Sequence, residues 1–321
     1  MSAIKVIDAE AVDAALDYPS LVEALREMYR IGCDLNEVLR LSLAGADGAV
    51  ASFLLRPAWQ RDRHLGVKLA TVFPENNAKG LPSVQGTYVL FDGATGSPLA
   101  CIDGTLLTLY KTAANSALGA AYLARDDCRA MLMVGAGALA PHLIEAHAAV
   151  RPIRRVMVWN RTPARAEALA AERTRPGLSV SAVRDIEGAA READVISCAT
   201  MTIEPLIRGA WLKPGAHLDL VGGFTPQMRE ADDEAVRRAR VFVDTREGTL
   251  GEVGDIAAPL ASGVIGEADI EADLTQLARG ERDGRRGPDE ITLFKNGGGG
   301  NQDLATAQLI AQVIASRASG G

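Results

Sequence analysis

The segment Met131–Ala140, MLMVGAGALA, restricts the fold of this 321-residue chain more than any other. Ala130–Val134 is a short continuous apolar run, the pattern of a parallel strand covered on both faces. Gly135 and Gly137 follow, and Ala138–Ala140 open a stretch with helical apolar spacing to Val150. Together they match the form G-x-G-x-x-A. The first glycine makes the tight turn, the second lets backbone approach a pyrophosphate, and the small third residue lets helix pack on strand. Pro141 falls in the first helical turn, where it is tolerated. Arg155–Trp159 then reads as the next strand, completing a βαβ unit of dinucleotide-binding type.

The end of that second strand bears on the cofactor. NAD-preferring sites place Asp or Glu there, roughly 20 residues past the first glycine, to accept from the ribose 2′-hydroxyl. This chain has Asn160, Arg161 and Thr162, with Arg165 one helical turn on. No carboxylate stands there to repel a 2′-phosphate, and Arg161 and Arg165 are suited to pair with one. The expected cofactor is NADPH, with NADH left open.

The alternation continues past this unit. Leu178–Val183, Val195–Cys198, His217–Leu220 and Val241–Val243 are candidate strands, most of them separated by helical stretches. The fold class is therefore α/β, a Rossmann-type doubly wound parallel sheet, preceded by an α+β domain of different texture. In that domain an amphipathic helix over Tyr18–Gly32 precedes short apolar segments at Ala49–Leu55, Leu65–Val72, Gly86–Asp92 and Pro98–Asp103. Thr105–Ala124 reads as one long helix leading into the nucleotide-binding strand. The expected division is a substrate and dimerisation domain over 1–115 and 304–321, with an NAD(P)-binding domain over 116–303. Asp303 is the expected N-cap of a last helix, Leu304–Ser316, which returns to the first domain. The glycine-rich Asn296–Asn301 reads either as a linker or as a lining of the cofactor cleft.

Composition narrows the partners. A net charge of −7 disfavours a nucleic-acid surface, which needs clustered Lys and Arg. No apolar run approaches the roughly 20 residues that span a bilayer, and no export signal is evident, so a cytoplasmic protein without membrane contact is expected. The four cysteines are widely separated without a C-x-x-C pair, and the four histidines show no metal-binding spacing, so no metal site is expected.

The blocks GVKLATVFPENNAKGLPSVQGTYVLFD, GSPLACIDGTLLTLYKTAANSALGA and VGAGALA, in this order and spacing, resemble the ornithine cyclodeaminase and mu-crystallin family over nearly the whole chain. The resemblance implies a homodimer paired through its N-terminal sheets, an active site between the two domains, and α-amino or α-imino acid substrates. It implies that Arg40 and Lys68 hold a substrate carboxylate, beside Lys111, where most relatives carry arginine. Lys68 interrupts an otherwise apolar strand, where an unpaired ammonium is costly, and is the candidate proton donor. Cofactor positions carried over are Ser83, Thr112, Gly135, Gly137, Ala138, Leu139, Asn160, Arg161, Thr162, Arg165, Thr200, Thr202, Val221, Gly222, Gly223 and Asn296.

One departure redirects the chemistry. The cyclodeaminase pattern after strand Leu218–Val221 is Gly-Gly-Asp, whose acid contacts the distal amine of ornithine. Here the residues are Gly222, Gly223 and Phe224. Phe224 offers an apolar wall instead, and Asp219 is a remote substitute for the acid. The expected reaction is NADPH-dependent reduction of a cyclic imino acid, Δ1-pyrroline-2-carboxylate to proline or its six-membered analogue to pipecolate. The alternatives are an ornithine cyclodeaminase or alanine-type dehydrogenase, and a non-catalytic NADPH-binding protein.

Overall fold

The computed structural model describes residues 4–35, 38–44, 50–82 and 84–319. The chain divides into two compact units, Met1–Lys111 with Gly299–Gly321, and Thr112–Gly298. Both breaks fall a few residues before the limits expected from sequence. The first lies inside one uninterrupted helix, Gly104–Leu123, whose composition marks no boundary; the second precedes a last helix that begins at Gly300 rather than Leu304.

Unit 1 is a seven-stranded sheet of β1 (Lys5–Ile7), β2 (Asp34–Leu35), β3 (Leu39–Ala44), β4 (Val50–Gln60), β5 (His64–Val72), β6 (Val84–Asp92) and β7 (Pro98–Asp103). The order is β1-β7-β6-β5-β4-β2, with β3 also pairing β4; only β1 runs parallel to its neighbour. The helix Tyr18–Ile31 starts where the Asp17 side chain accepts from the Ser20 N–H at 2.8 Å, and it buries Leu21, Leu25 and Met28. Strand periodicity places Ala58, Gln60, Tyr88 and Leu90 on one face, all buried, where the last helix also packs. The opposite face carries Leu39 and Leu41, both exposed, beside half-buried Phe53, Leu55 and Leu69.

Unit 2 is an all-parallel eight-stranded sheet of β8 (Ala130–Val134), β9 (Arg155–Trp159), β10 (Ser179–Ala182), β11 (Val195–Cys198), β12 (His217–Leu220), β13 (Arg240–Val243), β14 (Ile270–Asp273) and β15 (Thr292–Lys295). The order is β10-β9-β8-β11-β12-β15-β13-β14. The chain thus steps outward from β8 to β10, then crosses to β11 on the other side, which is the switch point where open α/β sheets bind ligands at the carboxyl ends of their strands. Leu132, Ile196, Leu218, Leu293, Val241 and Ile270 supply one core residue from each of six strands. The strands β14 and β15, which are not among the strands expected from sequence, are four residues long and each ends on a charge, Asp273 and the fully buried Lys295. No helix among the described residues is long and apolar enough to cross a membrane.

Asp194 ties the amino ends of this sheet together. Its carboxylate accepts from the Arg129 and Ala130 N–H groups at 2.8 and 2.9 Å, from Arg125 at 3.0 Å, and lies 2.7 Å from Lys213 Nζ. Burial alone would raise its pKa, but these donors outweigh burial and hold it at about 2. A depressed carboxyl pKa stabilises the fold above the unfolded value and loses that contribution as pH falls through the folded one. Asp194→Asn is accordingly expected to remove about 2 kcal/mol at neutral pH and to flatten the decline in stability between about pH 4 and 2. Urea titrations at several pH values check this; an unchanged acid limb would rule it out.

Candidate active site

In unit 2 the turn after β8 has the geometry that its glycines predict. Gly135 has φ +107, and a Cβ there would stand 2.7 Å from the Ala199 carbonyl oxygen, so only glycine fits. Gly137 is different: it is exposed, and a Cβ would meet nothing within 4 Å. No internal contact requires glycine there, which fits a position kept bare for a ligand's approach. The N–H groups of Gly137, Ala138 and Leu139 donate to no group among the described residues, ahead of a helix that begins at fully buried Ala140. Free N–H groups at a helix start suit a pyrophosphate, so this turn fits a dinucleotide.

At the end of β9, Asn160 braces this turn. Its Oδ1 accepts from the Ala136 N–H at 3.1 Å and its Nδ2 donates to the Thr162 carbonyl at 2.9 Å. Much of the amide expected to contact cofactor is thus engaged within the fold. Thr162 precedes the next helix without a side-chain cap. Arg161 and Arg165 are exposed and form no salt bridge among the described residues, which leaves both guanidinium groups available to an anion.

The ends of β11 and β12 are joined by a residue that the sequence reading did not single out. Glu230, fully buried, accepts from the Thr200 N–H and hydroxyl at 2.6 and 2.8 Å through Oε1, and from the Val221 and Gly222 N–H groups at 3.1 and 2.7 Å through Oε2. Four converging donors serve the ionised carboxylate, against a burial that pushes its pKa up to about 7. A Cβ on Gly222 would fall 2.0 Å from the Thr200 carbonyl oxygen and 2.6 Å from Glu230 Oε1. That glycine is therefore required by the fold's own packing, whatever binds beside it. The Thr202 hydroxyl donates to the Glu204 carbonyl at 2.6 Å, so its proton is also engaged internally.

Two expectations are corrected here. Asn296 is buried, its Oδ1 accepting from Asn115 at 2.9 Å and its Nδ2 donating to the Thr112 carbonyl and Ser116 hydroxyl at 2.9 and 3.0 Å. Its amide locks onto the long helix, and the Thr112 carbonyl belongs to the same lock, so the Asn296 side chain has no donor left for a cofactor. Asp219 cannot replace a missing acid: it is fully buried and bonded to His147, Ser197 and Ser116 at 3.1, 2.7 and 2.8 Å. Phe224, by contrast, is 58% exposed, so it is no core residue. Ser83 lies outside the described residues.

In unit 1 the cations assemble around an acid. Lys68 on β5 lies 3.1 and 2.9 Å from the two carboxylate oxygens of Asp303, which is fully buried. Lys111, 3% exposed, donates to Gln302 Oε1 at 3.1 Å and stands 3.7 Å from Asp303, while Gln302 donates onward to the Tyr29 hydroxyl at 3.0 Å. Asp303 is thus no N-cap. The helix begins one turn earlier, at Gly300, and turns this side chain inward. Burial opposes its ionisation, but Lys111, Lys68 and Arg56 outweigh burial and hold its carboxyl below the ordinary range.

Arg56, the cross-strand neighbour of Lys68, was not anticipated, although an arginine in an apolar strand is the same signal that marked Lys68. Like charges directly opposite on neighbouring strands are destabilising, so this pair with Lys111 leaves positive charge beyond what Asp303 neutralises. Such a cluster is suited to an anion. Arg40 is exposed at the sheet margin, on β3 opposite Leu54. Pairing alternation places it on the same face as Arg56 and Lys68, but it does not enter the Asp303 cluster.

The sequence profile of the ornithine cyclodeaminase/mu-crystallin family matches residues 5–318. Protein SAR DEFICIENT 4 of Arabidopsis thaliana is 41% identical over 327 aligned positions, covering 99% of this chain and 100% of that protein. A Δ1-pyrroline-2-carboxylate reductase of Paracoccus denitrificans (strain Pd 1222) is 44% identical over 301 positions, 94% of each chain. Among solved structures, Thermococcus litoralis Δ1-pyrroline-2-carboxylate reductase in complex with NADH and L-proline superposes with a TM-score of 0.91 at 31% identity, covering 98% of both chains.

Proposed function

Because the chain belongs to the ornithine cyclodeaminase/mu-crystallin family, we propose that it is a cytoplasmic ketimine reductase, reducing Δ1-pyrroline-2-carboxylate to L-proline with NADPH. The observation that carries this reading is the end of β12. An exposed Phe224 stands where a cyclodeaminase has its acid, and the nearest strand carboxylate, Asp219, is locked in a buried network. A substrate ring finds an apolar wall there, and Asp255, the carboxylate beside Gly223, is buried and engaged by Lys295 and the Glu230 N–H rather than offered to a side-chain ammonium. The relatives named as reductases of this imine support the same choice.

The chain's own groups then divide the work. Lys68 and Lys111 take the substrate carboxylate by charge-assisted hydrogen bonds, each contributing on the order of 1.5 to 3 kcal/mol. Asp303 holds the Lys68 ammonium in place, and Arg56 and Arg40 add positive potential on the same sheet face. Lys68 is the group we assign to keep the imine nitrogen protonated, which makes C2 electrophilic. The backbone N–H groups of Ala138 and Leu139 would hold the pyrophosphate of a nicotinamide dinucleotide, which when bound would supply the hydride that C2 accepts.

The decisive assay follows NADPH absorbance with purified protein and Δ1-pyrroline-2-carboxylate, its six-membered analogue, pyruvate with ammonia, and ornithine with NAD. Turnover of the cyclic imines is expected. Ornithine turnover would replace this reading with cyclodeamination, and tight NADPH binding without turnover of any substrate would favour a binding protein.

NADPH preference rests on the exposed Arg161 and Arg165 and on the lack of a carboxylate at Asn160–Thr162. Arg161→Ala is expected to raise KM for NADPH about tenfold while leaving that for NADH within about twofold. Equal changes for both cofactors would show that Arg161 does not read the 2′-phosphate.

A homodimer is proposed from the uncovered apolar face of the unit 1 sheet, where Leu39 and Leu41 are 52% and 44% exposed beside Phe53 and Leu55. Leu41→Glu is expected to convert the dimer to monomer in sedimentation velocity; an unchanged sedimentation coefficient would place the interface elsewhere.

A further inference from the structure

Glu230 is an expensive residue to keep. It and Asp255 are two buried carboxylates served by one lysine: Asp255 accepts the Glu230 N–H at 2.7 Å through Oδ1 and the fully buried Lys295 Nζ at 2.9 Å through Oδ2. Buried charge is stabilising only when it is paired and fully hydrogen-bonded, and an apolar replacement of similar volume is often no worse for stability. The backbone of Glu230 is fixed as well, its carbonyl accepting from the Leu206 and Ile207 N–H groups at 3.0 Å each. What the carboxylate reaches is specific. All four of its donors belong to the turns that leave the carboxyl ends of β11 and β12, where regular strand pairing stops after the Val221 N–H bonds the Cys198 carbonyl at 2.9 Å. Those ends lie on the opposite side of the switch point from β9, whose end carries the adenosine-side residues Asn160–Thr162. In a sheet that binds a dinucleotide across its switch point, they fall to the nicotinamide half.

We propose that Glu230 is a positioning residue for the nicotinamide half of the cofactor, tying the turn Ala199–Thr200 to the turn Val221–Gly222 so that both present one fixed surface to the ring. The inference rests on the reading that unit 2 binds a nicotinamide dinucleotide, and deepens it. The last ladder bonds run from the Ala199 N–H to the Val134 carbonyl and from the Val221 N–H to the Cys198 carbonyl, both 2.9 Å, and beyond them the carboxylate joins Thr200 to Gly222 as a longer ladder would otherwise do. Close approach of Gly222 to Thr200 follows from the same clasp.

The test compares binding of NADPH with binding of 2′-phospho-ADP-ribose, which lacks the nicotinamide, by calorimetry. Glu230→Gln keeps the shape but replaces one acceptor with an NH2 that faces N–H donors. It is expected to weaken NADPH about tenfold and the fragment by less than about twofold, and to lower kcat with little change in KM for the imine. Thr200→Val removes a single hydrogen bond and is expected to do the same more mildly, about threefold, which keeps the comparison available if Glu230→Gln fails to fold. Equal weakening of both ligands would mean that Glu230 merely stabilises the unit, and no weakening of either would mean that the clasp does not matter; both overturn the proposal. If the unaltered protein bound neither ligand, the dinucleotide reading itself would fall, a result distinct from selective loss failing to appear in the variants.

Discussion

Lys68→Met is expected to lower kcat/KM for Δ1-pyrroline-2-carboxylate by about two orders of magnitude. The side chain is 12% exposed and contacts both oxygens of Asp303, so its ammonium is held in one place rather than sampling solvent. Loss of a preorganised charge-assisted hydrogen bond to the substrate carboxylate accounts for about 1.5 to 3 kcal/mol, the upper end of which is about a hundredfold. How the loss divides is informative. A residue that only anchors the carboxylate raises KM and leaves kcat, whereas one that also protonates the imine lowers kcat and removes the alkaline limb of the pH profile. Lys68→Arg preserves the anchor but not a readily lost proton, so it is expected to recover KM more than kcat. Steady-state kinetics across pH at saturating NADPH decide this. A Lys68→Met variant within about threefold of the unaltered enzyme would remove Lys68 from both roles.

Asp303→Asn is expected to destabilise unit 1 by about 3 to 5 kcal/mol, the range found when one partner of a buried ion pair is removed. Lys68 and Lys111 both stand within ion-pair distance of this carboxylate, and the substitution would leave them beside Arg56 without the anion they share. The sign of the pH dependence follows from the depressed Asp303 pKa: its contribution is present above the unfolded carboxyl value and disappears as pH falls through the folded one. Urea titration checks both, with Trp59 as the unit 1 probe after Trp159 and Trp211 are changed to phenylalanine. A loss below about 1 kcal/mol would mean that the lysines find water or other partners when the acid is gone. A bound carboxylate ligand is expected to restore part of the stability lost in the Asp303→Asn variant, because it supplies the anion that the neutral amide does not.

The nucleotide-binding turn was legible because its requirements are local. Gly135 needs a positive φ and a close carbonyl, and both follow from a tight turn between a buried strand and a helix. Lys68 was legible because a charge in an apolar strand must find a partner. The same signal marks Arg56, directly opposite Lys68 on the neighbouring strand. Asp303 was read as a helix cap since Asp after a glycine run commonly is one; the structure starts the helix at Gly300, so the same residue turns inward. Asn160, expected at the cofactor from its place at a strand end, and Asn296, expected there from the resemblance, have amides engaged by the protein's own backbone and side chains. A lone polar side chain in a sequence does not reveal whether its partner is a ligand or a neighbour.

By itself, then, the sequence determined the α/β class, the glycine turn, the lack of an acid at Phe224 and the cationic strand position Lys68, because each follows from residues adjacent in the chain or from the period of one strand. Only the tertiary structure decided which acid serves the lysines, that Asp219 is sealed among His147, Ser197 and Ser116, and that Glu230 joins two turns. These pairings link residues as far apart as Lys68 and Asp303, and a buried charge is decided by whichever groups the fold brings within hydrogen-bond reach, which no local pattern records.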